Sequence, residues 1–293
     1  MARGAIGGRL RRDRFFQLGV ALVAGVVLAA VLAPWLAPFD PLTGDLRNAY
    51  LLQPGGRYLF GTDTQGRDLL SRVLYGARLS LLVGLISQSV AVTLGVTLGL
   101  VAGYYGRWVD ALVMRLADIT LAFPTLLLLI AVAAAVKPSL PVIFVVIGVV
   151  GWAGMARLVR GQVLVLKRAE YVLAAQALGA LDRRVLLRHL LPNVRTQVII
   201  AATLGIAGAI MAEAALSFVG LGAQPPTPSW GAMVADGRDL LRVAPWVSFA
   251  PGLAIGAAVL GFNLVGEALR EAYDPKSARG EGGGEGESGK GET

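Results

Sequence analysis

The chain has 293 residues, 55% of them hydrophobic, and a mean hydropathy of +0.65, far more apolar than a water-soluble domain of this size needs. It has no cysteine and a single histidine, which excludes a disulfide framework, a thiolate metal site and a multi-histidine cluster, so no cofactor is expected. The formal net charge of +8 would suit nucleic acid, yet the cations fall between apolar runs, as membrane topology requires; the expected partner is a lipid bilayer and not a nucleic acid.

Residues 1–14 form a basic tail with Arg3, Arg9, Arg11, Arg12 and Arg14, followed by an apolar run from Leu18 to about Leu36. A cleaved signal peptide would have a shorter apolar region and a small-residue cleavage site; the Pro-Trp-Leu-Ala-Pro-Phe-Asp-Pro that follows predicts instead an uncleaved span with an aromatic outer anchor. Residues 15–78 thus hold the first span and a polar external loop. Within it Leu69, Leu70, Val73, Leu74 and Ala77 share one face, which predicts an amphipathic helix lying on the outer membrane surface.

Residues 79–270 read as a core of five further spans. The second, Leu79 to about Ala102, carries Gly95, Gly99 and Gly103 four apart, a spacing that allows close helix contact in lipid, and its Ser87, Gln88, Ser89 and Thr93 are expected to face protein. The third, about Met114 to Val136, contains Pro124, which removes a backbone donor and predicts a kink. Lys137, Pro138, Ser139 and Pro141 turn the chain outside, and a fourth span runs from about Leu140 to Ala156.

The stretch 161–193 then reads GQVLVLKRAEYVLAAQALGALDRRVLLRHLLPN, densely cationic yet made of good helix formers. Two short helices with a sharp corner are predicted: one through Val172, Ala174, Ala175 and Leu178 ending at Gly179, and one capped by Asp182, with Arg183 and Arg184 in its first turn and Pro192 limiting its length. The small alanines leave a shallow face that another protein can approach, flanked by Arg183, Arg184 and Arg188. A merely solvated basic loop is the plainer reading.

Ala174, Ala175, Gly179, Leu191 and Pro192 stand at the spacing of a known signature: two alanines, three residues, glycine, eleven residues, Leu-Pro. In this the chain resembles the membrane subunits of ATP-binding-cassette importers, and the strings from Glu170 to Gly179 and from Arg188 through His189 and Pro192 to Asn193 are similar to their dipeptide, oligopeptide and nickel branch. Leu173 stands where the general signature has glutamate, and His189 where isoleucine is common. The resemblance implies an all-α, six-span type I importer permease fold in the inner membrane. It also implies that this loop is a coupling helix seated in a groove of an ATPase subunit. The implied partners are a second, distinct permease subunit, two ATPase subunits and an external binding protein, and the implied cargo is peptide or nickel.

A fifth span from about Gln197 to Leu221 contains Glu213. A charge at mid-membrane costs about 2.5 to 3.5 kcal/mol, so this carboxyl must face the bundle interior, a water-filled path or a partner. Two readings stand open: a polar point on the translocation route or subunit interface, and a protonated or paired carboxyl that holds helices together. Asn263, in the sixth span from about Trp246 to Leu269, has the same ambiguity. Between these spans Pro225, Pro226 and Pro228 predict extended backbone, and Ser229 is expected to cap a short helix carrying Trp230 and Met233 at the interface. His189 invites a metal or proton-relay role, but its place at a helix end favours capping or packing.

The tail 271–293 is flexible in composition and contains Gly284, four residues, then Gly289-Lys290, which imitates a phosphate-binding loop. Gly291 then stands where Ser or Thr would be needed, so ATP hydrolysis is assigned to another chain. With both termini inside, 19 of the 27 Lys and Arg lie on the cytoplasmic side and 8 outside, in the sense of the positive-inside rule. An ion-driven transporter or channel is the alternative function; it would normally show more intramembrane ionisable groups and internal repeats.

Overall fold

The computed structural model describes Leu10, residues 13–136 and residues 139–273. The basic tail before Leu10, the turn at Lys137 and Pro138, and the tail from Asp274 with its imitation phosphate loop lie outside the described residues. Among the described residues all regular structure is helical, because hydrocarbon gives backbone N–H and C=O groups no partner except one another.

In chain order the helices are α1 (Arg14–Leu36), α2 (Leu69–Tyr105), α3 (Arg107–Ala122), α4 (Thr125–Ala135), α5 (Leu140–Leu166), α6 (Glu170–Ala177), α7 (Asp182–Phe218), α8 (Trp230–Gly237) and α9 (Trp246–Tyr273). Five of them, α1, α2, α5, α7 and α9, are long and apolar enough to cross a membrane, and α3 with α4 makes a sixth crossing if the pair is one broken span.

Several predicted boundaries move. Residues 69–78 are not a separate surface helix: they are the first turns of α2, which at 37 residues is about 55 Å long and outreaches the hydrocarbon. Leu69, Ala77 and Leu81 pack into the bundle core, so the apolar face that sequence assigns to lipid is covered by protein. The third span is broken rather than kinked. Phe123 is extended, Pro124 opens the next helix, and α3 and α4 meet at 94°. The fourth span runs on through Arg157, Arg160 and Gly161 to Leu166. Ser89 and Thr93 are exposed on this chain; each hydroxyl donates to the carbonyl four residues back, at 2.7 and 2.8 Å, which satisfies it within its own helix.

The central contact is between α2 and α5. Gly95, Gly99 and Gly103 lie against Met155, Val159 and Val163, so the four-residue glycine spacing on one helix receives the four-residue spacing of larger side chains on the other. A Cβ added at Gly99 would come within 2.9 Å of the Val159 side chain, and one at Gly103 within 2.8 Å of Val163. At the far end of the same seam the roles reverse, and Gly148 of α5 receives Val90 of α2. α9 uses the same device on α1, with Gly261 against Leu22 and Val23.

One end of the bundle is closed by residues 37–68 together with α8. Thr62 lies at the centre of that loop: its hydroxyl donates to the Ala49 carbonyl and accepts from the Leu52 N–H, while the Trp246 indole donates to its carbonyl. Asp63 is buried between Arg67, at 2.7 Å, and Arg72, at 3.5 Å, so these three buried charges offset one another. Burial holds the Asp236 carboxyl of α8 above the usual carboxylate range, with Arg72 and Arg67 pulling it back. Trp230 and Met233, expected at the membrane interface, are instead core residues, the Trp230 indole donating to the Val73 carbonyl at 2.9 Å.

Replacing Gly99 with Leu forces α2 and α5 apart where backbone meets side chain. The expected outcome is a severe loss of monodisperse protein in detergent, read by size-exclusion chromatography, whereas the same change at Gly252, whose missing Cβ has nothing within 4 Å, leaves the yield near that of the unaltered chain.

Candidate functional site: the elbow and the polar interior

The end opposite the 37–68 loop carries the elbow. α5 arrives there with Arg160 donating to Asp110 of α3 through two nitrogens of one guanidinium edge, Nε to Oδ1 and Nη2 to Oδ2, and Lys167 donates to the Gly103 carbonyl at 2.8 Å. After a short turn α6 begins at Glu170, whose carboxylate is exposed in the first turn where the helix N-terminus favours it.

α6 ends as its sequence predicts. Gly179 takes φ +79°, the left-handed region that glycine enters without strain; its N–H donates to the Gln176 carbonyl at 2.9 Å and that of Ala180 to Ala175 at 3.0 Å, the paired bonds of a Schellman stop. The following helix departs from expectation in two respects. Asp182 does not cap it, since Leu181 holds that position and the Asp182 carboxylate accepts from the Tyr104 hydroxyl at 2.6 Å. Pro192 does not end it. Val185–Leu190 form a π-helical turn, with the Leu191 N–H donating to Leu186, and Pro192 falls where that wider turn hands over to the long α-helical segment, so α7 continues to Phe218 as one rod. The second arm of the elbow is therefore the beginning of the fifth span.

The elbow has two faces. Inward, Val172 is fully buried among Val163, Val185, Leu190 and Val194, and the Tyr104 hydroxyl, which donates to Asp182, also accepts from the Gln176 amide at 3.3 Å. Both arms are thus tied to the last turn of α2. Outward, Leu173, Ala174 and Arg183 are exposed, Ala175 is half-buried, and Leu178 and Leu181 are 89% and 78% exposed. His189 is half-buried with its ring 6.5 Å from that of Tyr171, which is packing geometry. Sequence reasoning did not single out Tyr104, Leu178 or Leu181; the two leucines are detectable as bulky apolar residues beside a polar turn, but Tyr104 lies 78 residues from Asp182 and carries no local signal.

Glu213 is 1% exposed near the opposite end. Its Oε1 accepts from the Ser217 hydroxyl at 2.6 Å and from the Ser229 hydroxyl at 2.8 Å, while Oε2 has no partner among the described residues. Ser229 therefore spends its hydroxyl on Glu213 and does not cap α8 through its side chain. Asn263 is exposed on α9. Between α2, α4, α5 and α7 lies a cavity of about 400 Å³ whose wall includes Ser87, Gln88, Thr125, Gly151 and Gly205; neither Glu213 nor Asn263 belongs to it.

Residues 95–279, from the first glycine of the α2 seam through the elbow, Glu213 and α8 to the end of α9, match the family model described as binding-protein-dependent transport system inner membrane component. The chain belongs to this family. Residues 6–54 separately match the N-terminal transmembrane domain of oligopeptide transport permease C. The permease is 43% identical over 268 residues to the dipeptide transport system permease protein DppC of Alkalihalophilus pseudofirmus, across 92% of this chain and 88% of that one. It is 42% identical to the DppC of Haemophilus influenzae, across 91% and 92% of the two chains. It is 41% identical to the glutathione transport system permease protein GsiD of Pectobacterium atrosepticum, across 90% and 89%. The permease is therefore a multi-pass inner-membrane transport subunit of the type I importer fold that works with a binding protein, and the ion-driven alternative is set aside.

Tyr104→Phe removes one hydroxyl that serves both arms of the elbow. A hydrogen bond to a charged group contributes about 1.5–3 kcal/mol, so the variant should insert normally yet expose the 170–184 segment, seen as faster amide hydrogen exchange there than in the unaltered permease.

Proposed function

We propose that this permease is one of two distinct membrane subunits of an ATP-driven importer of short peptides, and that its elbow is the cytoplasmic surface on which a separate ATPase subunit acts. The observation that carries the reading is the two-faced elbow: an apolar outer surface of Leu173, Ala174, Leu178 and Leu181 on a segment whose inner face is fixed to α2, α5 and α7. Exposed leucines so close to Arg183, Arg184 and Arg188 have no use to a solvated loop, and burying each against a partner is worth about 1.5–3 kcal/mol. The cations of the elbow favour this end and both termini inside by the positive-inside rule, and on this reading the 37–68 loop and α8 face the binding protein. Glu170, Ala174, Ala175, Gly179, Asp182, Arg183, His189 and Pro192 build or flank the coupling surface; Glu213 fastens α8 to the fifth span, and Asn263, exposed on α9, is offered to the second permease.

The cargo follows the names of the relatives, which include dipeptide, di/tripeptide and glutathione systems; nickel, the other cargo the family resemblance implies, names none of the relatives reported above. Because the second arm of the elbow is continuous with α7, closure of the ATPase pair would move a rod and not a loop. That motion opens the path outward to the loaded binding protein, and hydrolysis with product release resets it.

Reconstituted with its partners, the complex should accumulate a radiolabelled dipeptide only with ATP and loaded binding protein. Ala175→Glu puts an unpaired charge on the seating surface and Gly179→Pro destroys the left-handed stop. Each should abolish uptake while the protein still inserts, and retention of full substrate-stimulated ATPase activity and uptake in both would sink the lever.

A further inference from the structure

We propose that Ser87 and Gln88, side by side at the middle of α2, form a polar step that hydrogen-bonds the backbone amide of a peptide in transit; the inference rests on the peptide reading above. The two residues stand at the nineteenth and twentieth positions of a 37-residue helix, on the wall of the 400 Å³ cavity between α2, α4, α5 and α7.

The wall around them is apolar and mixed in size: Leu129, Ile147, Val150, Met155 and Leu158 alternate with Ala91, Gly151, Gly154, Ala201 and Gly208, and a Cβ at Gly154 or Gly208 would meet nothing within 4 Å. Such a surface offers no charged or hydrogen-bonding selection beyond Ser87, Gln88 and Thr125. Its volume lies within the range of about 300–1,000 Å³ that holds small molecules.

Two buried hydroxyls of α2, those of Ser80 and Ser87, have no hydrogen-bond partner among the described residues, and of the two only Ser87 lies on the cavity wall, beside Gln88. The hydroxyls of Ser89, Thr93, Thr120 and Thr203 each donate to the carbonyl four residues back. Ser87 does not: its residue is 1% exposed and its hydroxyl has no hydrogen-bond partner. Nor is the Gln88 amide hydrogen-bonded among the described residues. It is held by shape, lying over Gly205 of α7, where a Cβ would fall 2.5 Å from Cδ and 2.6 Å from Nε2. Leaving a buried hydroxyl unsatisfied costs about 1–3 kcal/mol, so the Ser87 hydroxyl, beside the unbonded and half-buried Gln88 amide, points to a partner that is supplied and withdrawn.

The chemistry of the pair selects that partner. A hydroxyl gives one donor and two acceptor sites, and a carboxamide gives two donors and a carbonyl, which together complement the N–H and C=O of a peptide bond. The cavity wall contains no charged side chain, so a bare cation or an anion gains nothing there. A neutral amide, present in every peptide whatever its side chains, matches both the polar pair and the uncharged, apolar wall.

The test uses the complete reconstituted complex. Gln88→Leu keeps the bulk over Gly205 and removes the amide; loss of about two hydrogen bonds should lower dipeptide imported per ATP hydrolysed by about tenfold, and Gln88→Asn should restore part of it. The chain has no cysteine, so Gln88→Cys adds one thiol to this subunit; a water-soluble methanethiosulfonate reagent should label it during turnover, and saturating dipeptide should slow that labelling. Import per ATP unchanged in Gln88→Leu, or labelling that dipeptide does not slow, overturns the polar step while leaving the importer reading intact. Absence of ATP-driven dipeptide uptake by the unaltered complex overturns the peptide reading and the step with it.

Discussion

The close approach of α2 to α5 is the contact on which the rest of this permease depends. Lipid is as apolar as a leucine side chain, so helices gain little there from hydrophobic burial and associate through fit. Gly95, Gly99 and Gly103 provide that fit by letting Met155, Val159 and Val163 reach the backbone of α2. The seam ends where Tyr104 meets Asp182 and Lys167 meets the Gly103 carbonyl, so the register of two long helices sets the position of the elbow. Toward its other end the same pair leaves room for the cavity that Ser87 and Gln88 border.

Polar groups within the bundle follow one rule with few departures. Hydroxyls on the outer faces bond to their own helix, charges are paired or placed beyond the hydrocarbon, and Glu213 collects two serine hydroxyls that join the fifth span to α8. This accounts for the rigidity of the closed end, where Trp230, Trp246, Thr62 and the Asp63–Arg67–Arg72 group bind loop to helix. The unpartnered hydroxyl of Ser87 and the unbonded amide of Gln88 depart from that rule on the wall of the cavity.

The elbow combines a fixed inner face with an apolar outer one. Val172 and the Tyr104 hydrogen bonds prevent it from swinging on its own, and the π turn lets the chain pass Pro192 without a break. Force applied at Leu178 would therefore pass into the whole of α7, including the Gly205 wall of the cavity and the Glu213 attachment of α8. The proposed lever and the proposed polar step lie on the same rod.

Sequence by itself determined the membrane class, the number of crossings, the glycine seam and the left-handed stop at Gly179, because each rests on local composition or on a spacing within one helix. It also carried the family resemblance through the alanine, glycine and Leu-Pro spacing. Only the tertiary structure decided the destination of side chains whose partners are remote: Asp182 to Tyr104 instead of a cap, Ser229 to Glu213, Trp230 to Val73, and residues 69–78 to the core instead of the membrane surface. An amphipathic face looks the same in sequence whether lipid or protein covers it, and a hydroxyl able to cap a helix is equally able to meet a buried carboxylate. Which of the two occurs depends on what the rest of the chain brings alongside.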